Sequence, residues 1–421
     1  MADRRGGQLT LFLLTGVYAI NYLDRQILAI LVEPIKAALG LSDTQVGLLF
    51  GAPFALLYAT ISIPIASYAD RADRAKLVTM ALILFSIMSA ACGSAVVYWQ
   101  LLAARSAVAI FEAGTNAPSH SLISDTFPFN RRSTAMAVFS LGPHIGVILS
   151  FLIGGWLVQY WGWRTAFVST GVLGLSFAVF TTVWLRDPGR KQYAPTHSRA
   201  ALIQALKSIF ANRTLRHLIA GGTIYSIAAY SLIGWLPALL IRTGKMSPFA
   251  VGTILALVIG LIGAFGTLFG GLAADRFGKS SATWRLRLVG IVLLLMSPFW
   301  ATGLLTPDPA LMMGFMFLPC TLLGFFSGPT FAMTQSLVDP SIRATAAAIM
   351  LFFFTVIGLG MGPLVTGLMS DAIRPSLGDE SLRHALLLVP PLCIWASFHY
   401  FLAARTVDDD LRMLREERTA S

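Results

Sequence analysis

The sequence is poor in charged residues and in cysteine. Only 12% of its 421 residues are charged, whereas soluble domains carry roughly 25%, and 56% of the chain is hydrophobic. This balance excludes an ordinary soluble domain. The three cysteines, Cys92, Cys320 and Cys393, lie within apolar stretches and have no metal-ligand spacing. We therefore interpret them as packing residues and predict no metal site.

Long apolar stretches dominate the chain instead. Twelve of them reach or exceed roughly 18 residues, which is long enough to cross a bilayer as a helix. They lack the alternation that a membrane β-barrel requires, so helices are the expected spanning form. The sequence therefore predicts an all-α membrane protein with twelve transmembrane helices. These predicted helices 1 to 12 lie near residues 9–34, 44–68, 77–97, 99–124, 135–159, 165–185, 214–241, 248–273, 287–305, 311–336, 345–369 and 386–404.

The net charge of +11 is distributed asymmetrically. If the N-terminus is cytoplasmic, 23 of the 31 Lys and Arg residues fall on cytoplasmic segments, six fall outside and two lie within the membrane. This bias is the positive-inside pattern that orients membrane proteins. We therefore expect both termini in the cytoplasm and no nucleic-acid partner. Because the first apolar segment contains Asp24 and Arg25, we interpret it as a retained helix and not as a signal peptide.

A loop motif occurs twice, about half a chain apart. Asp70-Arg71 follows predicted helix 2 and Asp275-Arg276 follows predicted helix 8. Before those helices, the stretches 42–47 and 247–252 match at the same offset. Such duplication in an apolar chain is typical of secondary transporters. We predict two pseudo-symmetric six-helix bundles at residues 1–190 and 214–405.

A cytoplasmic linker at residues 191–213 is expected to join the two bundles, and residues 406–421 are expected to form a cytoplasmic tail. The linker carries apolar pairs at 201–202, 205–206 and 209–210, which is helical spacing. We therefore predict a short helix on the membrane surface within it. A plain flexible linker is the alternative.

Four charged residues lie inside predicted helices 1 and 4, namely Asp24, Arg25, Arg105 and Glu112. Ionisable groups at membrane depth are costly and normally mark a substrate or ion pathway. Two acids and two arginines are charge-balanced, so protonation of one acid would free an arginine to hold an anion. We therefore predict Asp24 and Glu112 as proton-coupling residues, and Arg25 and Arg105 as substrate-binding residues.

A static ion network that fixes helix 1 against helix 4 is the structural alternative. The internal repeat argues against it, because a network needed for stability should occur in both halves. The four corresponding positions in the second half are uncharged and hold Ala229, Tyr230, Met316 and Leu323. We include Tyr230, the counterpart of Arg25, among the predicted substrate-binding residues.

The second half is rich in Phe and Met along predicted helices 10 and 11. Such stripes commonly pack helices or face lipid, but they also suit a wall that contacts a hydrocarbon tail. A cavity with charges on one side and apolar residues on the other favours an amphipathic anion as substrate. A transporter of small hydrophilic organic anions or drugs is the alternative. No nucleophile triad, metal-ligand cluster or phosphate-binding loop is evident in the sequence, so we predict neither catalytic residues nor an enzyme.

The layout resembles the major facilitator superfamily over the whole chain. The two Asp-Arg loops match that superfamily's cytoplasmic loops between helices 2 and 3 and between helices 8 and 9, although Ala66 and Asp73 stand where glycines are usual. The resemblance implies two bundles that alternate in access, with these loops latching them on the cytoplasmic side. The implied latch residues are Asp70, Arg71, Arg74, Asp275 and Arg276.

A narrower resemblance lies in the first half. The stretches 21–25 (Asn-Tyr-Leu-Asp-Arg), 41–47 (Leu-Ser-Asp-Thr-Gln-Val-Gly) and 112–118 (Glu-Ala-Gly-Thr-Asn-Ala-Pro) are similar to the Spinster family. That family implies transport of sphingosine phosphates and lysophospholipids, with proton coupling through acids of the N-terminal bundle. It further implies that Arg25 meets the head group and that Arg105 supports Glu112.

Two positions depart from the Spinster pattern. Ala109 and Phe111 stand where the family usually has glycines, and Phe111 beside Glu112 would narrow or dry the site. We therefore include Phe111 among the substrate-binding residues. Without a long N-terminal extension, the chain is expected to be a bacterial member in the inner membrane. We further expect a monomer that uses protons as the coupling ion and has no cofactor.

Overall fold

The computed structural model describes residues 4–69, 71–189, 199–277, 281–339 and 342–420. These residues are almost entirely helical and include no β-strand. The α-helices are α1 (Arg4–Leu39), α2 (Asp43–Phe50), α3 (Ala52–Ala69), α4 (Arg74–Cys92), α5 (Tyr98–Glu112), α6 (Asn116–Thr126), α7 (Phe129–Phe139), α8 (Gly142–Trp184), α9 (Arg199–Ala211), α10 (Arg213–Arg242), α11 (Pro248–Leu255), α12 (Gly263–Phe277), α13 (Ala282–Leu305), α14 (Pro309–Thr321), α15 (Ser327–Ser336), α16 (Arg343–Phe353), α17 (Gly360–Leu377), α18 (Ser381–Leu386) and α19 (Val389–Ala420). Two π-helical segments, Ala256–Ile262 and Phe354–Leu359, join α11 to α12 and α16 to α17. A 3-10 turn, Gly378–Glu380, precedes α18.

These helices form twelve membrane spans, which confirms the predicted fold class. By length and composition alone, seven continuous stretches of the described chain are apolar and long enough to cross a membrane. Two of the seven, with 51 and 70 residues, are long enough for two spans each. The remaining spans are α1, which carries the buried charges, and the interrupted pairs α5–α6 and α14–α15.

Interruptions divide several of the spans. Gly162 has φ 81° and ψ 170°, a backbone conformation that glycine adopts at little cost, and it separates α8 into two spans. This break lies between predicted helices 5 and 6, as expected. The break between α5 and α6, directly after Glu112, falls inside predicted helix 4 and was not anticipated.

Helix starts are set by capping serines at corresponding positions of the repeat. At the start of α2, the Ser42 side chain accepts a hydrogen bond from the Gln45 backbone, and the Gln45 side chain accepts one from the Ser42 backbone. This reciprocal arrangement is a capping box. At the start of α11, the Ser247 side chain accepts a hydrogen bond from the Ala250 backbone. The repeated sequence therefore encodes the same helix entry twice.

The chain forms two compact units, and the first comprises residues 1–195 and 236–260. Its longest helices, α1 and α8, pack through small residues. A Cβ atom added at Gly146 of α8 would lie 2.3 Å from the Ala19 carbonyl oxygen of α1. Likewise, a Cβ atom at Gly171 would lie 2.5 Å from the Ser86 carbonyl oxygen of α4. Such close backbone approach is a common way for helices to associate in membranes.

The second unit comprises residues 196–235 and 261–421. Its helices α13 and α19 are joined by serine hydrogen bonds: Ser397 donates to the Gly290 carbonyl at 2.7 Å and Ser297 donates to the Pro390 carbonyl at 3.0 Å. Helix α9 lies within the predicted linker and packs against α16. The bundle boundaries expected from the sequence stay predictions.

Candidate functional site

Two of the four intramembrane charges form a closed pair in the first unit. Arg105 Nη1 lies 2.6 Å from Asp24 Oδ2 and 3.3 Å from the Asp24 carbonyl oxygen. The Ser89 hydroxyl of α4 also donates a hydrogen bond to Asp24 Oδ1. Asp24 is 0% exposed and Arg105 is 3% exposed. The pair thus links α1, α4 and α5 and has its charges neutralised internally.

The other two charges form a more open pair. Arg25 Nε lies 2.7 Å from Glu112 Oε1, and the exposed fraction of the side chain is 19% for Arg25 but only 1% for Glu112. Adjacent residues on a helix point about 100° apart, so Asp24 and Arg25 address different neighbours. The resemblance assigned Arg105 to Glu112, whereas the structure pairs Arg105 with Asp24 and Arg25 with Glu112.

Aromatic rings surround the Arg25 guanidinium. Its Cζ atom lies 4.5 Å from the ring centroid of Tyr58, 5.2 Å from that of Phe54 and 5.5 Å from that of Tyr22. These distances suit cation–π attraction, which strengthens where water is excluded. The rings on α3 were missed by the sequence reasoning. Their spacing of four residues puts them on one face of α3, but no local pattern marks that face as the neighbour of Arg25.

Polar side chains complete the surroundings of this pair. The Asn21 amide donates to Thr115 Oγ1 at 2.6 Å. Asn116 begins α6, four residues after Glu112. The Tyr58 hydroxyl interacts with both Asn116 and Arg25. The carboxylate of Glu112 thus ends α5 and the amide of Asn116 begins α6 at the interruption between the two helices. Discontinuous helices form such sites in other secondary transporters.

The two aromatic residues predicted to bind the substrate, Phe111 and Tyr230, lie in different units. Phe111 precedes Glu112 on α5 and is half-buried in the first unit. Tyr230 is half-buried on α10 in the second unit. Their predicted roles in substrate binding stay predictions.

Arg74 is the centre of a polar cluster at the start of α4. It is 0% exposed, and its backbone and guanidinium donate three hydrogen bonds of 2.6 to 2.9 Å to Asp187, beyond α8. It also donates to Ser121 at 2.8 Å and to Asp125, both on α6. Burial alone would raise the pKa of Asp187, but the hydrogen bonds and charge of Arg74 outweigh it and lower that pKa.

The other predicted latch residues are less enclosed. Arg71 and Arg276 are exposed, and the Asp275 carboxylate lies 3.5 Å from Arg285. Asp70 lies outside the described residues. Their assignment as a conformational latch stays a prediction.

A second buried ion cluster was not anticipated. Arg242 donates to Asp43 at 2.8 and 2.9 Å and to Glu33 at 2.7 and 3.1 Å, and Lys36 also donates to Asp43. Asp43 is 0% exposed. Helices α1, α2 and the last turn of α10 meet here within the first unit. Among the described residues, no group of three or more His, Cys, Asp or Glu could hold a metal ion.

Twelve spans, an almost entirely helical fold over the described residues and a buried ionic centre are typical of a membrane transporter. The Major Facilitator Superfamily matches residues 14–370, and the chain belongs to this superfamily. Its structure is similar to that of a bacterial homolog to the human lysosomal transporter Spinster, in an inward-facing and unoccupied conformation. The TM-score is 0.88 and the identity 28%, over 97% of this chain and 99% of that chain. The Spinster resemblance is therefore confirmed.

Relatives with curated names cover several kinds of cargo. An MFS-type efflux pump of Mycolicibacterium smegmatis is 34% identical over 95% of both chains. A probable L-galactonate transporter of Escherichia coli is 28% identical over 63% of this chain and 61% of its own. The sphingosine-1-phosphate transporter SPNS2 of Mus musculus is 25% identical over 91% of this chain and 74% of its own.

Proposed function

We propose that this protein is a secondary active transporter that moves an amphipathic, lipid-like anion by alternating access, coupled to protons. The observation that carries the proposal is the buried pair of Arg25 and Glu112. The arginine is partly exposed and its carboxylate partner is not. An arginine in this position is available to an incoming anion once its partner is neutralised.

The chemistry follows from this asymmetry. A proton on Glu112 removes the negative charge that holds Arg25, so the guanidinium is free to bind an anionic head group. Loss of the proton restores the internal pair and releases the anion. Asp24, held by Arg105 and Ser89, serves as the second proton-responsive acid, while Arg105 keeps its helix aligned. Phe111 of the first unit is proposed to contact the substrate, and the role of Tyr230 in the second unit stays a prediction.

Similarity to the bacterial Spinster homolog and to SPNS2 supports a substrate of the sphingosine-phosphate or lysophospholipid type. The named cargo of SPNS2 is an amphipathic anion. We further propose a monomer in the bacterial inner membrane with both termini in the cytoplasm. The asymmetry of Lys and Arg supports this orientation.

A transporter of small hydrophilic organic anions or drugs is the second candidate. Two of the relatives favour it, because one is named an efflux pump and the other a probable L-galactonate transporter. Competition separates the two candidates. If small carboxylates or drugs inhibit transport and lysolipids do not, the second candidate is favoured.

The first test is reconstitution into liposomes with a tail-labelled lysophospholipid, with and without an imposed pH gradient. We expect gradient-dependent movement in the wild type. In Glu112→Gln, we expect the gradient dependence to disappear while the protein stays folded, because a permanently neutral side chain takes no part in proton exchange.

Asp409→Asn is the matched control, since Asp409 is 72% exposed on the C-terminal helix. This variant should keep the wild-type gradient dependence. Gradient-driven movement that persists unchanged in Glu112→Gln would remove Glu112 from the coupling mechanism. If the folded wild type does not move the lysophospholipid, the transporter of small hydrophilic organic anions or drugs becomes the favoured candidate.

A further inference from the structure

Two histidines of the second unit face each other from two helices. His217 Nδ1 of α10 lies 3.0 Å from His399 Nδ1 of α19, although the two residues are 182 positions apart in the chain. The ring centroids are 5.3 Å apart and the ring planes are inclined by 43°. Since a neutral imidazole nitrogen either donates or accepts, one ring carries a proton at Nδ1 and the other accepts it. The two Nδ1 atoms therefore aim at one shared point between the helices.

Contacts on both sides of the pair fix the two helices against each other. The Thr214 hydroxyl of α10 lies 2.7 Å from the Thr406 hydroxyl of α19, and the Thr214 backbone N–H donates to the Asp410 carboxylate at 2.9 Å. Further along α10, a Cβ atom added at Gly221 would lie 3.1 Å from the His399 Cβ atom, so the helices also approach closely there. Side chains carried by helices that are fixed in this way are preorganised to bind a ligand.

The separation of the two nitrogens suits a transition-metal ion. Zn²⁺ binds imidazole nitrogen at about 2.0–2.1 Å, and tetrahedral geometry places two such ligands about 3.3 Å apart. From the observed 3.0 Å, the two nitrogens would need to part by roughly 0.3 Å. Imidazole ligands suit Zn²⁺, Cu²⁺ and Ni²⁺, whereas Ca²⁺ and Mg²⁺ prefer oxygen. A metal ion can therefore take the place of the proton that the two rings share.

We propose that His217 and His399 form a binding site for a divalent transition-metal ion such as Zn²⁺. Among the described residues, no third His, Cys, Asp or Glu completes a metal-holding group, so water fills the remaining positions, as in open zinc sites. Both rings are half-buried, which leaves the ion a path to them. The bound ion joins α10 to α19 and stabilises the second unit against unfolding. Arg25 and Glu112 lie in the first unit, and the metal site is independent of the function proposed for them.

One neighbouring charge opposes the ion. Arg216 precedes His217 on α10, is exposed and acts on it electrostatically. Repulsion between this guanidinium and a divalent cation weakens binding, although water and salt reduce the effect. Arg216→Gln should therefore tighten Zn²⁺ binding by roughly threefold. Such a gain in affinity does not arise from a loss of structure.

The test measures Zn²⁺ binding to the full-length protein in detergent, without a histidine tag, by isothermal titration calorimetry. We expect one ion per chain and no competition from Ca²⁺. His217→Gln and His399→Gln should each weaken Zn²⁺ binding at least about tenfold, because even a partner that only orients a metal ligand is worth about 10–100-fold in affinity. Glutamine keeps a hydrogen-bonding side chain between the helices but does not supply an imidazole nitrogen.

His384→Gln is the matched control. His384 is an exposed histidine of the second unit, and its ring bonds the Glu380 carbonyl. This variant should keep the Zn²⁺ affinity of the wild type. Electron paramagnetic resonance of Cu²⁺ bound to the wild type gives a separate count of the ligands, and we expect two nitrogens.

No saturable Zn²⁺ binding by the folded wild type would overturn the metal site and leave a histidine pair that shares a proton only. Unchanged affinity in His217→Gln or His399→Gln would overturn it as well. If a glutamine variant fails to fold, the copper spectrum of the wild type and the Arg216→Gln variant decide the question. Fewer than two nitrogen ligands, or unchanged or weaker Zn²⁺ binding in Arg216→Gln, would place the ion elsewhere.

Discussion

Arg105 neutralises a carboxylate that is completely buried, so its removal should be costly. In Arg105→Met, Asp24 would stay at 0% exposure without its counter-charge. Breaking a buried ion pair on one side typically costs about 3–5 kcal/mol. We expect a lower temperature of thermal unfolding in detergent, with partial recovery in the double variant Arg105→Met/Asp24→Asn.

Arg412→Met provides the comparison, because the pair of Arg412 and Asp409 is exposed on both sides. Exposed pairs contribute little to stability. If Arg105→Met unfolded at the same temperature as Arg412→Met, the buried pair would have no role in holding α1 against α5.

The contact of Asp187 with Arg74 should make stability depend on pH in the acid range. Because this contact lowers the pKa of Asp187, its stabilisation is present above the pKa that Asp187 has in the unfolded chain. It is lost as the pH falls through the lower, folded-state pKa. We expect Asp187→Asn to lower the unfolding temperature at neutral pH and to converge with the wild type in acid.

Asp409→Asn should follow the wild type throughout the same pH series. A constant difference between Asp187→Asn and the wild type at every pH would show that the contact acts through packing and not through charge.

The packing of α1 against α8 depends on the absence of a side chain at Gly146. The Cβ atom of an alanine there would lie 2.3 Å from the Ala19 carbonyl oxygen and 2.7 Å from the Tyr22 Cβ atom. The two helices must separate to admit it, and overpacking of this kind costs about 1–3 kcal/mol. We expect Gly146→Ala to lower the unfolding temperature and to weaken binding at the nearby Arg25.

Gly314→Ala is the matched control, because a Cβ atom at Gly314 of α14 meets no atom within 4 Å. Alanine there should be neutral or stabilising, since it reduces the freedom of the unfolded chain. Equal destabilisation by both changes would show that the contact with α1 is not its cause, because helix propensity favours alanine over glycine at both positions.

The proposed orientation of the whole chain is testable with introduced cysteines. The native Cys92, Cys320 and Cys393 are all buried, so they should react slowly with a membrane-impermeant maleimide. Asp379→Cys, in the exposed turn before α18, should be labelled on intact cells, whereas Asp409→Cys should be labelled only after the membrane is opened. The reverse pattern would invert the topology inferred from the positive-inside bias.

Much of the candidate site is predictable from the sequence alone, because its charged residues lie inside apolar segments. Asp24, Arg25, Arg105 and Glu112 stand out because an unpaired charge is costly in lipid, so each implies a partner or a cavity. The residues Phe54 and Tyr58 did not stand out. Aromatic side chains occur throughout apolar helices, and nothing in their local sequence marks them as neighbours of an arginine.

The sequence by itself determined the class of the molecule: twelve apolar spans, an internal repeat and a charged centre confined to the first half. These properties depend on hydropathy and spacing, which are local. The tertiary structure decided which charges pair. It joined Arg25 to Glu112 and Arg105 to Asp24, and it brought Arg242 to Asp43 across 199 residues of chain. Pairing depends on how each helix is rotated and how closely small residues let helices approach, and no local pattern encodes that.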